Sequence, residues 1–154
     1  MFLYRVVKAL QSHKVKYAIV GGYAVALHGA VRGTVDLDLI LSLSRNQFIA
    51  AEAAFKKIGL ECRLPITAGQ VFDFREEYIK NKNLVAWSFY NPTNPSEIVD
   101  IILTHDLAKI KTQRIKSDGT DLHVISIADL IRMKEQSGRP QDLEDVKALK
   151  RLKS

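Results

Sequence analysis

The chain has one cysteine, Cys62, among 154 residues, so no disulfide forms within it. It has no apolar run near the roughly 20 residues that a membrane-spanning helix needs, which leaves no expected bilayer partner. The first ten residues, Met1 to Leu10, place Arg5 and Lys8 among apolar residues at helical spacing. They lack the continuous apolar stretch and small-residue cleavage site of a secretory signal, so a cytoplasmic location is expected. There is no internal repeat and no low-complexity segment. His13, His105 and His123 lack the spacing of metal ligands. No aromatic residues interleave with the basic ones as in a stacking RNA-binding module. Trp87, Phe89 and Tyr90 gather instead in one segment that reads as a core strand.

A length of 154 residues suits one domain with a sizeable core, 1–154, ending in a helical pair over 126–152. The net charge of +6 fits an anionic partner such as a nucleotide or RNA. Part of that excess lies in Lys147, Lys150, Arg151 and Lys153, where a solvated helix face explains it equally well.

Apolar periodicity predicts helices over 2–13 and 22–29, and another over 46–58, capped by Ser44 and stopped by Gly59. Strands are expected over 16–20, 35–42, 84–90 and 97–103, with a turn at 91–95. A short strand is expected at 70–74 and a short helix at 104–110. Ser117-Asp118-Gly119-Thr120 signals a hairpin between strands 112–116 and 121–125. Ser126 caps a helix to about 136, and Pro140 opens the last one. The sum is an α/β (α+β) domain, a mixed β-sheet flanked by helices.

Three carboxylates sit where carboxylates are expensive. Asp36 and Asp38 lie in Val35-Asp36-Leu37-Asp38-Leu39-Ile40-Leu41, and Asp100 lies in Ile98-Val99-Asp100-Ile101-Ile102-Leu103. Side chains at i and i+2 of a strand share a face, about 7 Å apart along the chain. Asp36 and Asp38 then point together, with Ile40, while Leu37, Leu39 and Leu41 line the other face. Like charges so placed raise each other's pKa unless a cation neutralises them. Oxygen ligands on one face suit Mg²⁺ or Mn²⁺. Taken alone, Asp-x-Asp also fits an edge strand with solvent-facing acids, and Asp100 also fits a cap or an arginine partner. Upstream, Gly21-Gly22 ends a strand and opens a helix, an arrangement that lets backbone N–H groups approach a phosphate. Arg32 and Thr34, just before the aspartates, suit a nucleotide phosphate or an ordinary loop.

These residues resemble the DNA polymerase beta-like nucleotidyltransferase superfamily. Gly21-Gly22 is followed by thirteen residues, Tyr23 to Val35, and then Asp36-Leu37-Asp38 between hydrophobics; Val99-Asp100-Ile101 matches the third acid. The wording is most similar to the small prokaryotic branch of minimal nucleotidyltransferases and abortive-infection type toxins. The later stretches Ile127 to Lys134 and Gly138 to Val146 resemble that branch's last motifs. The resemblance implies the polymerase beta-like fold and metal-dependent transfer of an NMP from an NTP, ATP among the candidates, to an acceptor hydroxyl on RNA, tRNA, a protein or a small molecule. It implies that Asp36, Asp38 and Asp100 hold two Mg²⁺ or Mn²⁺ ions and that Gly21 and Gly22 cradle the phosphates. Lys134 would contact phosphate and Asp142 would reach the site, while Arg139 and Asp145 brace the helices. These four residues equally fit an ionic lock between two helices. The resemblance also implies a possible toxin–antitoxin setting and a small helical partner protein. The alternative is a non-catalytic, antitoxin-like or regulatory nucleotide-binding partner of the same fold; the presence of all three acids argues against it.

Overall fold

The computed structural model describes residues 1–153. Seven strands form one mixed sheet: β1 Tyr17–Val20, β2 Leu37–Leu41, β3 Glu61–Cys62, β4 Ala86–Asn91, β5 Asn94–Ile102, β6 Thr112–Ser117 and β7 Thr120–Ile125. Their order is β3-β4-β5-β2-β1-β7-β6. The β1–β7 and β2–β5 pairs are parallel and the others antiparallel. The helices are α1 Phe2–Ser12, α2 Gly21–Leu27, α3 Arg45–Lys57, α4 Ala68–Asp73, α5 Arg75–Lys82, α6 Ile127–Ser137 and α7 Pro140–Lys153. Among the described residues no helix is long and apolar enough to cross a membrane.

The mixed sheet flanked by helices is the expected architecture. α1 is amphipathic and buries Phe2, Leu3, Val6, Val7 and Leu10; it packs on α3, which packs on α4. The aromatic segment is core, as its spacing predicts: Trp87 stacks on Phe48 with centroids 5.6 Å apart and meets Phe89 edge-on at 4.8 Å. α6 and α7 form the C-terminal pair, with Ser126 accepting from the Asp129 N–H and Gly138 closing α6 in the left-handed conformation.

Three local expectations are corrected. Residues 70–74 are not a strand: Thr67 caps α4 in a capping box with Gln70, so helix geometry wins over the apolar pair Val71-Phe72. The helix expected at 104–110 shrinks to a single 3₁₀ turn at Leu107–Lys109. β2 begins at Leu37 rather than Val35, so Asp36 lies on the preceding loop. The neighbouring strand explains this. β1 pairs Val20 with Asp38 and then turns away at Gly21 into α2, which leaves Asp36 without a strand on that side.

Candidate active site

Strand register brings the first elements of the site together. Ser88 on β4 pairs with Asp100 on β5, Asp100 with Asp38 on β2, and Asp38 with Val20 on β1. Partnered residues of neighbouring strands point to one face, so these four side chains form a row across the sheet. Arg63, whose N–H donates to the Ser88 carbonyl oxygen at 3.0 Å, flanks the row beyond Ser88.

The row carries an unusual charge state. Burial and the charges of Asp100 and Asp36 push the Asp38 carboxyl up to about 7. Burial also raises Asp100, against a 2.5 Å hydrogen bond from Ser88 Oγ that favours its ionised form. Asp38 also favours the ionised form of Asp100, more weakly than Ser88 does. Among the described residues no Lys, Arg or His lies within ion-pair distance of Asp36, Asp38 or Asp100. Asp36 stands on the adjoining loop, close enough for its charge to raise both Asp38 and Asp100. The Tyr23 phenol is also raised, by burial and then by Asp36.

Gly21 and Gly22 are required where they stand. Gly21 has φ +68, and a Cβ there would collide with the Asp38 carboxylate. A Cβ at Gly22 would come within 2.8 Å of Thr34 Oγ1. The start of α2 therefore packs directly on Asp38 and on the loop that leads to Asp36.

The helical pair closes the other side. Gly21, Asp38, Lys134, Arg139 and Asp142 line one cleft of about 500 Å³, with Val20, Val85, Ile102, Leu130 and Met133 as apolar wall. Lys134 Nζ lies 3.3 Å from Asp142 Oδ1 and 2.9 Å from Asp145 Oδ2. Arg139 Nε donates to Asp142 Oδ2 at 2.9 Å, and Arg32 Nε to Asp145 Oδ1 at 3.0 Å. Burial lifts the Asp142 carboxyl, but hydrogen bonds from Arg139 and Ser137 and the Lys134 charge outweigh it and bring it down to about 2. Asp145 is lowered in the same way by Lys134, Gln141 and Arg32.

Of the residues expected from sequence, Gly21, Asp38, Lys134 and Asp142 share the cleft, and Asp100 adjoins Asp38. Asp36, Gly22 and Thr34 lie beside them, whereas Arg32 turns to Asp145. Ser88, Tyr23 and Arg63 were not expected. Ser88 alternates with Trp87 and Phe89, which marks it as facing away from the core, but only the β4–β5 register puts it on Asp100. His28 packs: its Nε2 lies 2.7 Å from the Ile125 carbonyl oxygen and donates to it.

The donor chemistry fits divalent cations, since the three neighbouring carboxylates are unpaired and two of them hold protons more tightly than usual. As they stand the side chains do not converge: among the described residues no three His, Cys, Asp or Glu are arranged to hold an ion.

Residues 2–154 match the family described as Nucleotidyl transferase of unknown function (DUF2204), and the chain belongs to that family. No curated protein matches the chain. Several solved structures share its fold, these three among them. The antibiotic-resistance factor ANT(2'')-Ia is 12% identical with a TM-score of 0.65, covering 96% of this chain and 80% of that one. The lincosamide antibiotic adenylyltransferase LnuA, solved with lincomycin, is 16% identical with a TM-score of 0.62, covering 98% and 96%. An antigenic nucleotidyltransferase-like protein from Paracoccidioides brasiliensis is 17% identical with a TM-score of 0.58, covering 96% and 74%.

Proposed function

We propose that this member of the nucleotidyl transferase family moves a nucleoside monophosphate from an NTP to an acceptor hydroxyl. The acceptor oxygen bonds to the α-phosphorus, the bond to the β-bridging oxygen breaks, and pyrophosphate leaves. The observation that carries this reading is the Asp38–Asp100 pair, with no described cation at ion-pair distance and packed against the glycine turn that opens α2.

The residues divide the work. The N–H groups at the start of α2, beyond Gly21 and Gly22, face the β- and γ-phosphates. Asp100, oriented by Ser88, takes the acceptor hydroxyl's proton. Asp36, Asp38 and Asp100 would hold the divalent cations, two Mg²⁺ or Mn²⁺ ions, whose chemistry is to neutralise charge on the attacking and leaving oxygens. The cation-rich end of the cleft, where Arg139 is exposed and Lys134 is held between Asp142 and Asp145, faces the leaving pyrophosphate. Asp142 holds those cations in place, Arg32 and Thr34 shape the loop that carries Asp36, and residues 1–154 act as one catalytic domain.

The acceptor class is open to direct assay. ANT(2'')-Ia has been solved with adenylyl-2''-tobramycin and LnuA with lincomycin, so small hydroxylated molecules join RNA, tRNA and proteins as acceptors to try. Incubation with each α-labelled NTP, Mg²⁺ or Mn²⁺ and such a panel is expected to label one acceptor class. Label transfer that persists in an Asp36→Ala, Asp38→Ala double variant would overturn the mechanism. The toxin–antitoxin setting and the small helical partner extend the same proposal, and co-purification from the native host tests them.

A further inference from the structure

Two cations face the cleft, and they stand in opposite circumstances. The Lys134 side chain is 8% exposed, and its ammonium lies between Asp142 and Asp145, themselves 5% and 4% exposed. Releasing it toward a ligand would leave two buried carboxylates short of a counter-charge. The Arg139 side chain is 78% exposed. Its Nε and its backbone N–H both donate to Asp142 Oδ2, which fixes the root of the guanidinium. Its two Nη groups have no acceptor among the described residues. Its charge acts on Asp38, and it lines the cleft with Gly21.

We infer that Arg139 is the residue that binds the triphosphate, and that Lys134 is a positioning residue that never leaves its carboxylates. A guanidinium anchored at Nε keeps four N–H bonds in one plane, a geometry that matches two oxygens of a phosphate. Lys134 acts through others. It holds Asp142, which aims Arg139, and Asp145, which ties Arg32 and the loop carrying Asp36 to α7. One anchored, exposed fork and one buried lock thus replace a shared role for both cations.

This inference rests on the nucleotidyl-transfer reading, and nucleotide affinity separates the two. Binding of an NTP and of its NMP is measured by calorimetry with Mg²⁺ for the wild type, Arg139→Ala, Arg139→Lys and Lys134→Met. The wild type is expected to prefer the NTP. Arg139→Ala should lose about tenfold or more of that preference while its NMP affinity stays unchanged and its Tm falls, since Asp142 loses one donor, and Arg139→Lys should recover part of the preference. Lys134→Met should lower Tm yet keep the NTP-over-NMP ratio in the folded protein. An unchanged ratio in Arg139→Ala would overturn the assignment, as would a ratio lost in folded Lys134→Met. If Lys134→Met does not fold, Arg139→Ala and Arg139→Lys decide alone. A wild type that binds no NTP would overturn the nucleotidyl-transfer reading and this inference with it.

Discussion

Asp38 and Asp142 line the same cleft and carry the same carboxylate, yet they titrate in opposite directions. Asp38 is pushed up to about 7 by burial and by Asp100 and Asp36. Asp142 is brought down to about 2 because Arg139, Ser137 and Lys134 outweigh its burial. The difference is one of partners. Around Asp142 and Asp145 each buried negative charge meets a cation of this chain, so the cluster is complete and serves the scaffold. Along Ser88, Asp100 and Asp38 no cation of the described residues comes within ion-pair distance, and the more distant Lys134, Arg139 and Arg63 do not offset the burial and mutual repulsion.

The contrast breaks most visibly at Asp38. Asp38→Asn removes a repelled charge, so nucleotidyl transfer should fall by roughly a thousandfold, the scale of several kcal/mol of lost charge stabilisation, while Tm holds or rises. Steady-state rates and a thermal melt check both halves. Asp145→Ala should do the reverse to the fold. Breaking a buried pair costs about 3–5 kcal/mol, which lowers Tm by roughly 10 °C in a chain of this size.

The pH dependence sharpens the comparison. Between the ordinary carboxylate range near pH 4 and about 7, folded Asp38 binds a proton that the unfolded chain does not. Metal-free stability therefore falls as pH rises through that window, and Asp38→Asn should gain on the wild type by a few °C from pH 5 to pH 8. Asp142 carries the opposite sign: its contribution is present above about pH 4 and is lost as pH falls toward 2, so Asp142→Asn is destabilised at pH 7 and matches the wild type in acid. Melts of both variants across pH read the two slopes. The smallest effect belongs to Ser88→Ala. Losing the 2.5 Å donor to Asp100 should move the acid-side rise of the rate profile to higher pH and lower the rate about tenfold.

Much of this was legible before any coordinates. Three acids in apolar runs, the glycine pair and the pattern of Lys134, Arg139, Asp142 and Asp145 point to segments that the fold brings close together, because burying a charge leaves a mark in sequence. Residues 70–74 are expected as a strand because the apolar pair Val71-Phe72 carries no period that separates helix from strand; the capping box of Thr67 with Gln70 decides for helix. Register was not legible. That Ser88 meets Asp100, or that β1 leaves β2 at Gly21 and strands Asp36 on a loop, depends on pairings between distant segments. The ion pairs of the helical cluster were open for the same reason. Residue types permit several pairings, and only the packing of α6 on α7 and of the Arg32 loop selects one.

The central claim is that the Asp38–Asp100 pair is a cation site held partly protonated until a cation binds. Mn²⁺ titration near pH 6.5 tests it, with heats measured in two buffers of different ionisation enthalpy. Binding to such a pair must expel the proton on Asp38. The account predicts Mn²⁺ binding with net proton release in the wild type and in Arg139→Ala, and loss of both in Asp38→Asn. Mn²⁺ binding that survives Asp38→Asn, or that releases no proton at this pH, would contradict it.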